Sequence, residues 1–165
     1  MSANVLIREA GAGDLEAVES LVKGAYLEYR ELVPPELWEK WMESVSQAVH
    51  AGVGLLLVAE VAGAIKGVVQ FFPDASRSGQ GHWPAGSGTI RLLAVRGEAR
   101  GQGLGTRLTR ECLRRAQELR LPTLFLYTGR FMLAARHIYE NLGFKRAPEF
   151  EPLPTAGPLA YRLDL

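Results

Sequence analysis

A mixed α/β layer fold in a single domain is what this sequence predicts, and three observations predict it. Short apolar, β-rich runs alternate with longer stretches of helical periodicity. A glycine-rich turn joins the central apolar run to the longest helical stretch. At 165 residues, 47% hydrophobic and 22% charged, the chain is large enough for one real core and ordinary in composition for a globular protein. No repeat or composition shift divides residues 1–165, so the whole chain reads as one domain.

The elements follow in order. Val5-Leu6-Ile7-Arg8 is a short first strand, broken by Gly11-Ala12-Gly13. Asp14 is placed to cap a helix in which Leu15, Val18, Leu21, Val22 and Ala25 recur at helical spacing, to about Arg30. Pro34-Pro35 ends the connection, and Pro35 suits a first helical turn. Leu37, Trp38, Trp41, Met42 and Val45 are the stripe that the second helix buries, with core packing favoured over a pocket role for the tryptophans. Residues 53–60 and 64–72 are two nearly continuous apolar runs around Ala62-Gly63, a hairpin whose strands are covered on both faces. Residues 73–87 are rich in Gly, Ser and Pro and read as a long exposed loop. Ile90 to Val95 is the central strand, and the helix after the glycine turn carries Leu104, Leu108, Cys112 and Leu119 in line. Pro122 breaks the chain before a strand at residues 123–127. A helix follows from about Arg130 to Asn141, with Gly143 as its C-terminal cap. Short strands at residues 144–146 and 159–163 flank a proline-rich loop. The order β-α-α-β-β-β-α-β-α-β-β gives about seven strands in a mixed sheet with helices on both faces.

Arg100-Gly101-Gln102-Gly103-Leu104-Gly105-Thr106 is the stretch that carries chemistry. A helix that starts inside such a turn leaves its first N–H groups unpaired, and these donors with the positive helix end suit an anion. Glycine lets a phosphate approach the backbone, and Arg100 adds a forked cation. The dinucleotide fingerprint fails on spacing, because the third position counted from Gly101 is Thr106 and from Gly103 is Leu108. The P-loop fails because the turn holds no lysine. Arg-x-x-Gly-x-Gly, at Arg100, Gly103 and Gly105, does fit, and it resembles the coenzyme A pyrophosphate loop of the GNAT superfamily of N-acetyltransferases. Ala135, Tyr139, Gly143 and Phe144 resemble that family's second signature, A-x-x-x-Y-x-x-x-G-F. The opening Ile7 to Ala10 with Asp14-Leu15 and the closing loop and strand extend the likeness over nearly the whole chain, with residues 73–87 least matched.

The resemblance implies acetyl-CoA as co-substrate and direct acetyl transfer to a primary amine of a small molecule or peptide. It implies that the central strand and the strand at 123–127 splay apart. Leu93, Ala94 and Val95 would then pair with the pantetheine arm, and a backbone N–H such as that of Leu93 would hold the oxyanion. Arg100, Gly101, Gln102, Gly103, Leu104, Gly105 and Thr106 would hold the diphosphate. Tyr139 would contact the coenzyme and act as the acid for the departing thiolate, since a phenol near pKa ~10 can protonate a thiolate near ~8.5. Dimers are common among similar proteins, so a homodimer is compatible with the resemblance.

The chain departs from the family pattern at two places. Met132 stands where many members carry Asn. Thr89, Ile90 and Arg91 stand where many carry a glutamate base. Glu28, Glu60, Asp74 and His82 are the alternatives for a base, and none is singled out. These departures motivate a second reading, a non-catalytic acyl-CoA-binding sensor or scaffold. A nucleic-acid binder is poorly supported by a net charge of +1 without basic–aromatic interleaving. Arg96, Arg107, Arg110, Arg114 and Arg115 cluster around the turn and its helix, and for the outer ones a solvated helix face is favoured. Cys112, the only cysteine, reads as core, and His50 and His137 lack metal-ligand spacing, so no metal is expected. No leader pattern or membrane-length apolar run is present in the sequence, and a cytoplasmic location is the default expectation.

Overall fold

The computed structural model describes residues 4–153 and 155–165. Its centre is a seven-stranded sheet in the order β1-β2-β3-β4-β5-β7-β6. The strands are β1 (Val5–Glu9), β2 (Leu55–Val61), β3 (Ala64–Phe72), β4 (Gly88–Val95), β5 (Thr123–Thr128), β6 (Lys145–Arg146) and β7 (Leu159–Asp164). The helices are α1 (Leu15–Tyr26), α2 (Pro35–His50), α3 (Leu104–Glu118) and α4 (Leu133–Asn141). This is the mixed α/β architecture expected from the pattern of runs.

The doubly apolar strands are explained by two cores. Leu57, Val69, Phe71 and Leu126 pack with Leu108 and Cys112 of α3 and Tyr139 of α4 on one face. Val58 and Val68 pack with Val18 and Val22 of α1 and Val45 of α2 on the other. Each strand therefore buries both sets of alternating side chains. The β2–β3 hairpin turns through Ala62 and Gly63, both at positive φ, which matches the right-handed strand twist. Gly67 lets α3 approach β3, because a Cβ there would stand 3.0 Å from Leu108 Cδ1.

Three local expectations are corrected. Helix α1 ends at Tyr26 rather than near Arg30, and a 3-10 turn over Leu27–Leu32 carries the chain on. Asp14 makes no cap to α1. Its carboxylate accepts the Gly11 N–H at 2.7 Å and pairs with Arg8 at 2.8 Å, so it ties the end of β1 to the turn instead. Leu119 lies just past α3 and is exposed, leaving Cys112 and Ala116 to complete the buried stripe. The loop at 73–87 is exposed along most of its length, as expected, but it is anchored at one point. Trp83 is buried, stacks on Phe125 at 4.8 Å, and with Ala75, Ala147 and Ala160 forms a third small core. An aromatic anchor gives this glycine-rich segment the apolar contact its composition otherwise lacks.

The feature that positions the site is in β4. Parallel pairing with β5 holds at Gly88↔Leu124, Thr89↔Phe125 and Ile90↔Leu126 and then stops, although both strands continue. Thr89 Oγ1 donates to the Phe125 carbonyl at 2.8 Å, one pair before the pairing ends. Against β3 the register runs Gln70↔Arg91 and then Val68↔Ala94, so β4 carries one extra residue there. Leu92 sits at φ +57° within this bulge. As a result Ile90 faces the α3 core whereas Leu92 and Ala94 face the α1–α2 core. The bulge and the split together open a wedge in the middle of the sheet.

Candidate active site

Two cavities meet at that wedge. The smaller, of about 360 Å³, is walled by the ends of β4 and α1, the glycine turn, the start of α3 and one side of α4. The larger, of about 540 Å³, lies under α2 and the Thr128–Met132 turn. Tyr26 lines both.

The smaller cavity collects most of the site residues expected from sequence. Leu93, Ala94, Val95, Arg100, Gly101, Gly103, Leu104, Gly105 and Thr106 all line it. Gln102 lies in the same turn but contributes no wall. Gly101 and Gly103 sit at φ +78° and +77°, a backbone state that side chains disfavour. A Cβ at either would meet no atom within 4 Å, so the space over the turn is open. At Gly105 the reason for glycine differs: a Cβ would stand 2.7 Å from Ile138 Cδ1, so α3 and α4 touch there. Among the described residues, no protein acceptor takes the N–H of Gly101 through Thr106, and α3 aims these donors at the cavity. A turn of bare amides at the positive end of a 15-residue helix fits a diphosphate. The open edge of β4 beside it fits an amide-bearing arm, so the residues present suit coenzyme A.

Arg100 is placed differently from the expectation of a guanidinium aimed at open phosphate space. Its Nη1 donates to Glu28 Oε2 at 2.6 Å and its Nη2 to the Ala25 carbonyl at 3.3 Å, so it bridges the turn to the end of α1. Two of the outer arginines are held by acids. Arg114 pairs with Glu111 and Glu118, and Arg115 with Glu111 at 2.9 Å and Glu9 at 2.7 Å.

Tyr139 is buried under α4, against Phe144 and Tyr161. It does not itself wall either cavity. Burial raises its pKa well above the ordinary phenol value, reinforced by the nearby Tyr26, Cys112 and Tyr29. Its hydroxyl has no protein hydrogen-bond partner among the described residues, yet it is not among the side-chain polar atoms sealed off from solvent. Tyr29, which lines the smaller cavity, is pushed up to about 12 by burial and by the neighbouring Glu28 carboxylate. Cys112 is fully buried and its thiol is pushed up by desolvation, as suits a core residue rather than a nucleophile.

The Met132 position has a local explanation. Its sulfur accepts the Gly129 N–H at 3.4 Å and the Thr128 hydroxyl at 3.6 Å, closing the turn that floors the larger cavity. None of the four alternatives for a base reaches that cavity. Glu28 is paired with Arg100, Glu60 with Arg8 at 2.9 Å, and Asp74 accepts from Ser76 in the outer loop. His82 is exposed. Among the described residues no group of three or more His, Cys, Asp and Glu is placed to hold a metal ion, and no helix is long and apolar enough to cross a membrane.

Sequence reasoning missed Arg91 and the Tyr127–Phe131 segment, which line the larger cavity with Trp41. Stacking of Tyr26 on Trp41 at 5.0 Å and the Tyr29–Phe131 contact at 5.1 Å give it an aromatic side. The proline-rich loop contributes Ala156, Gly157 and Pro158, and the 73–87 segment contributes only Gln80.

Comparison with known proteins agrees with this geometry. The model of the family described as "Acetyltransferase (GNAT) family" matches residues 15–144. The mycothiol acetyltransferase of Acidothermus cellulolyticus is 41% identical over 68 residues, which is 41% of this chain and 20% of that protein. The match thus spans about a fifth of that relative's length. The PaiA N-acetyltransferase of Thermoplasma acidophilum, solved in complex with coenzyme A, superposes with a TM-score of 0.75 at 15% identity, over 98% of this chain and 99% of that one. A GNAT-family acetyltransferase of Brucella melitensis, solved with acetyl-CoA, does so with a TM-score of 0.64 at 21% identity, over 96% and 88%.

Proposed function

The chain belongs to the acetyltransferase (GNAT) family, and from that premise we propose that it transfers acetyl from acetyl-CoA directly to a primary amine held in the same complex. The observation that carries this reading is the junction of two cavities at the split between β4 and β5, with Tyr26 in the wall of both. One cavity suits the coenzyme and the other an acceptor, so donor and amine approach each other across β4. Direct transfer is supported by the chemistry of Cys112, whose buried, raised thiol is a poor acyl carrier.

Bound acetyl-CoA supplies a thioester carbonyl, and the amine nitrogen forms its bond to that carbon as the carbon–sulfur bond breaks. The N–H groups of Gly101 to Thr106 hold the diphosphate, with Arg100 as the wall beside it. The bulged backbone at Leu93 to Val95 receives the pantetheine amides. Tyr139 gives a proton to the departing sulfur and is reprotonated, through solvent, by the proton that the attacking nitrogen loses as it becomes an amide; its raised pKa keeps the phenol protonated before each turnover. Among the described residues no carboxylate lines the acceptor cavity, and the Arg91 charge there disfavours an ammonium. The amine therefore enters as the free base, or sheds its proton to solvent at the cavity mouth.

The test is free-thiol release from acetyl-CoA across a panel of primary amines, with acetylated product identified by mass. Amine-dependent thiol release by a Gly103→Asp protein equal to wild type would remove the turn from coenzyme binding. Thiol release that proceeds without any amine would remove direct transfer.

A further inference from the structure

The larger cavity holds a cation without an acid to answer it. Arg91 projects from β4 into this cavity, half-buried, one residue before the bulge. Its Nη1 donates to the Ser78 carbonyl at 3.1 Å, which fixes the guanidinium but spends only one of its five N–H donors. Among the described residues no Asp or Glu lines the cavity, and the electrostatic neighbour of Arg91 is the neutral Tyr26 phenol. By contrast, two other half-buried guanidiniums have carboxylates: Arg8 has Asp14 and Glu60, and Arg115 has Glu9 and Glu111. A partly desolvated charge with unfilled donors is costly unless something supplies an anion.

Trp41, Phe131, Leu92 and Tyr127 give the wall an apolar side, beside the polar Ser44, Gln80 and Thr128 and a second guanidinium, Arg130, which pairs with Glu151 at 3.8 Å. A volume of about 540 Å³ is that of a small-molecule site. We propose that the acceptor is a small amine bearing a carboxylate on an apolar body, that is, an amino-acid-like molecule, with Arg91 as the residue that selects its carboxylate. A planar fork with one donor already committed matches two carboxylate oxygens. Polyamines and aminoglycosides, also small primary amines, lack the anion and would bring further cations to a cavity with no acid among its described lining residues. This inference rests on the reading of the chain as an acetyl-CoA-dependent acetyltransferase.

The experiment measures kcat/KM by thiol release for matched pairs: L-phenylalanine with phenethylamine, L-leucine with isoamylamine, and spermidine beside them. Thermal shifts with the same compounds are read in the presence of coenzyme A. The expected result is a preference of at least tenfold for the carboxylate member of a pair, lost in Arg91→Gln and partly kept in Arg91→Lys. Equal or better use of the decarboxylated members or of spermidine overturns the inference, and so does a preference that survives Arg91→Gln. Neither turnover nor a thermal shift with any carboxylate amine also overturns it. The acetyl-CoA thermal shift of wild type is recorded separately: its absence would sink the acetyltransferase reading itself, and its presence beside any overturning result would sink only this inference. The same shift measured on Arg91→Gln reports that the variant is folded.

Discussion

The Tyr26 hydroxyl donates to the Leu93 carbonyl at 3.2 Å, tying the last turn of α1 to the bulged half of β4 where the two cavities meet. The bond joins a helix that packs on one face of the sheet to backbone that would otherwise offer its carbonyl to no strand on the β5 side. Tyr26→Phe removes the donor and leaves a part-buried carbonyl unsatisfied, at a cost of about 1–2 kcal/mol. For a chain of this size that lowers the melting temperature by roughly 2–6 °C. Because the bond also sets the wall between donor and acceptor, the variant should lose kcat/KM for both substrates, read by steady-state kinetics beside the melt.

Gly103 and Gly105 are glycines for different reasons, and substitution separates them. At Gly103 the constraint is φ +77° with open space above. Gly103→Ala adds left-handed strain of about 1 kcal/mol, whereas Gly103→Asp also sets a negative charge where the diphosphate is expected. The Asp variant should raise the acetyl-CoA Kd at least tenfold over the Ala variant at a similar melting temperature. At Gly105 the constraint is Ile138, 2.7 Å from the Cβ position. Gly105→Ala should therefore lower the melting temperature, by pushing α4 from α3. Pairing it with Ile138→Val should recover part of that loss. Calorimetry with acetyl-CoA and thermal melts check both.

Glu111 anchors the exposed side of α3, with Arg114 and Arg115 both donating to it. Its pKa is lowered to about 2, first by the Arg114 hydrogen bond. A depressed carboxyl stabilises the fold above its unfolded pKa, near ~4.5, and that contribution fades as pH falls towards the folded value. Glu111→Gln should lower the melting temperature by roughly 3 °C at neutral pH, since pairs near the surface contribute about 1 kcal/mol or less. The difference from wild type should shrink between about pH 4.5 and pH 2. A gap that stays constant over that window would mean the effect is packing rather than charge.

Much of this was legible in the residues themselves. The glycine turn is a local code, because positive φ and open amides demand glycine at Gly101 and Gly103 whatever surrounds them. The strand and helix pattern followed from periodicity, since each run has to bury its own faces. The bulge was not legible. Arg91-Leu92-Leu93 reads as unbroken strand, and the extra residue exists only relative to β3. Arg91 itself looked like a charge interrupting an apolar run, and its setting comes from Ser78, Trp41 and Phe131, distant in the chain. The anchoring of the 73–87 loop by Trp83 escaped notice because one tryptophan among glycines and serines carries little signal until Phe125 is beside it.

Tyr139 is the remaining test of the chemistry. Its phenol is buried against Phe144 and Tyr161, so Tyr139→Phe keeps the ring contacts and removes only the oxygen. If the hydroxyl protonates the leaving sulfur, kcat should fall about 10²-fold with the KM for acetyl-CoA little changed. Burial raises the pKa, which means the proton is held to higher pH than on a free phenol. The wild-type rate should therefore rise with pH as the amine deprotonates and show no basic limb from this group below about pH 10. The rising limb should persist in Tyr139→Phe at a lower plateau, because it belongs to the amine. A variant with full turnover at every pH would make Tyr139 a packing residue, and the proton would then have to reach the sulfur from solvent.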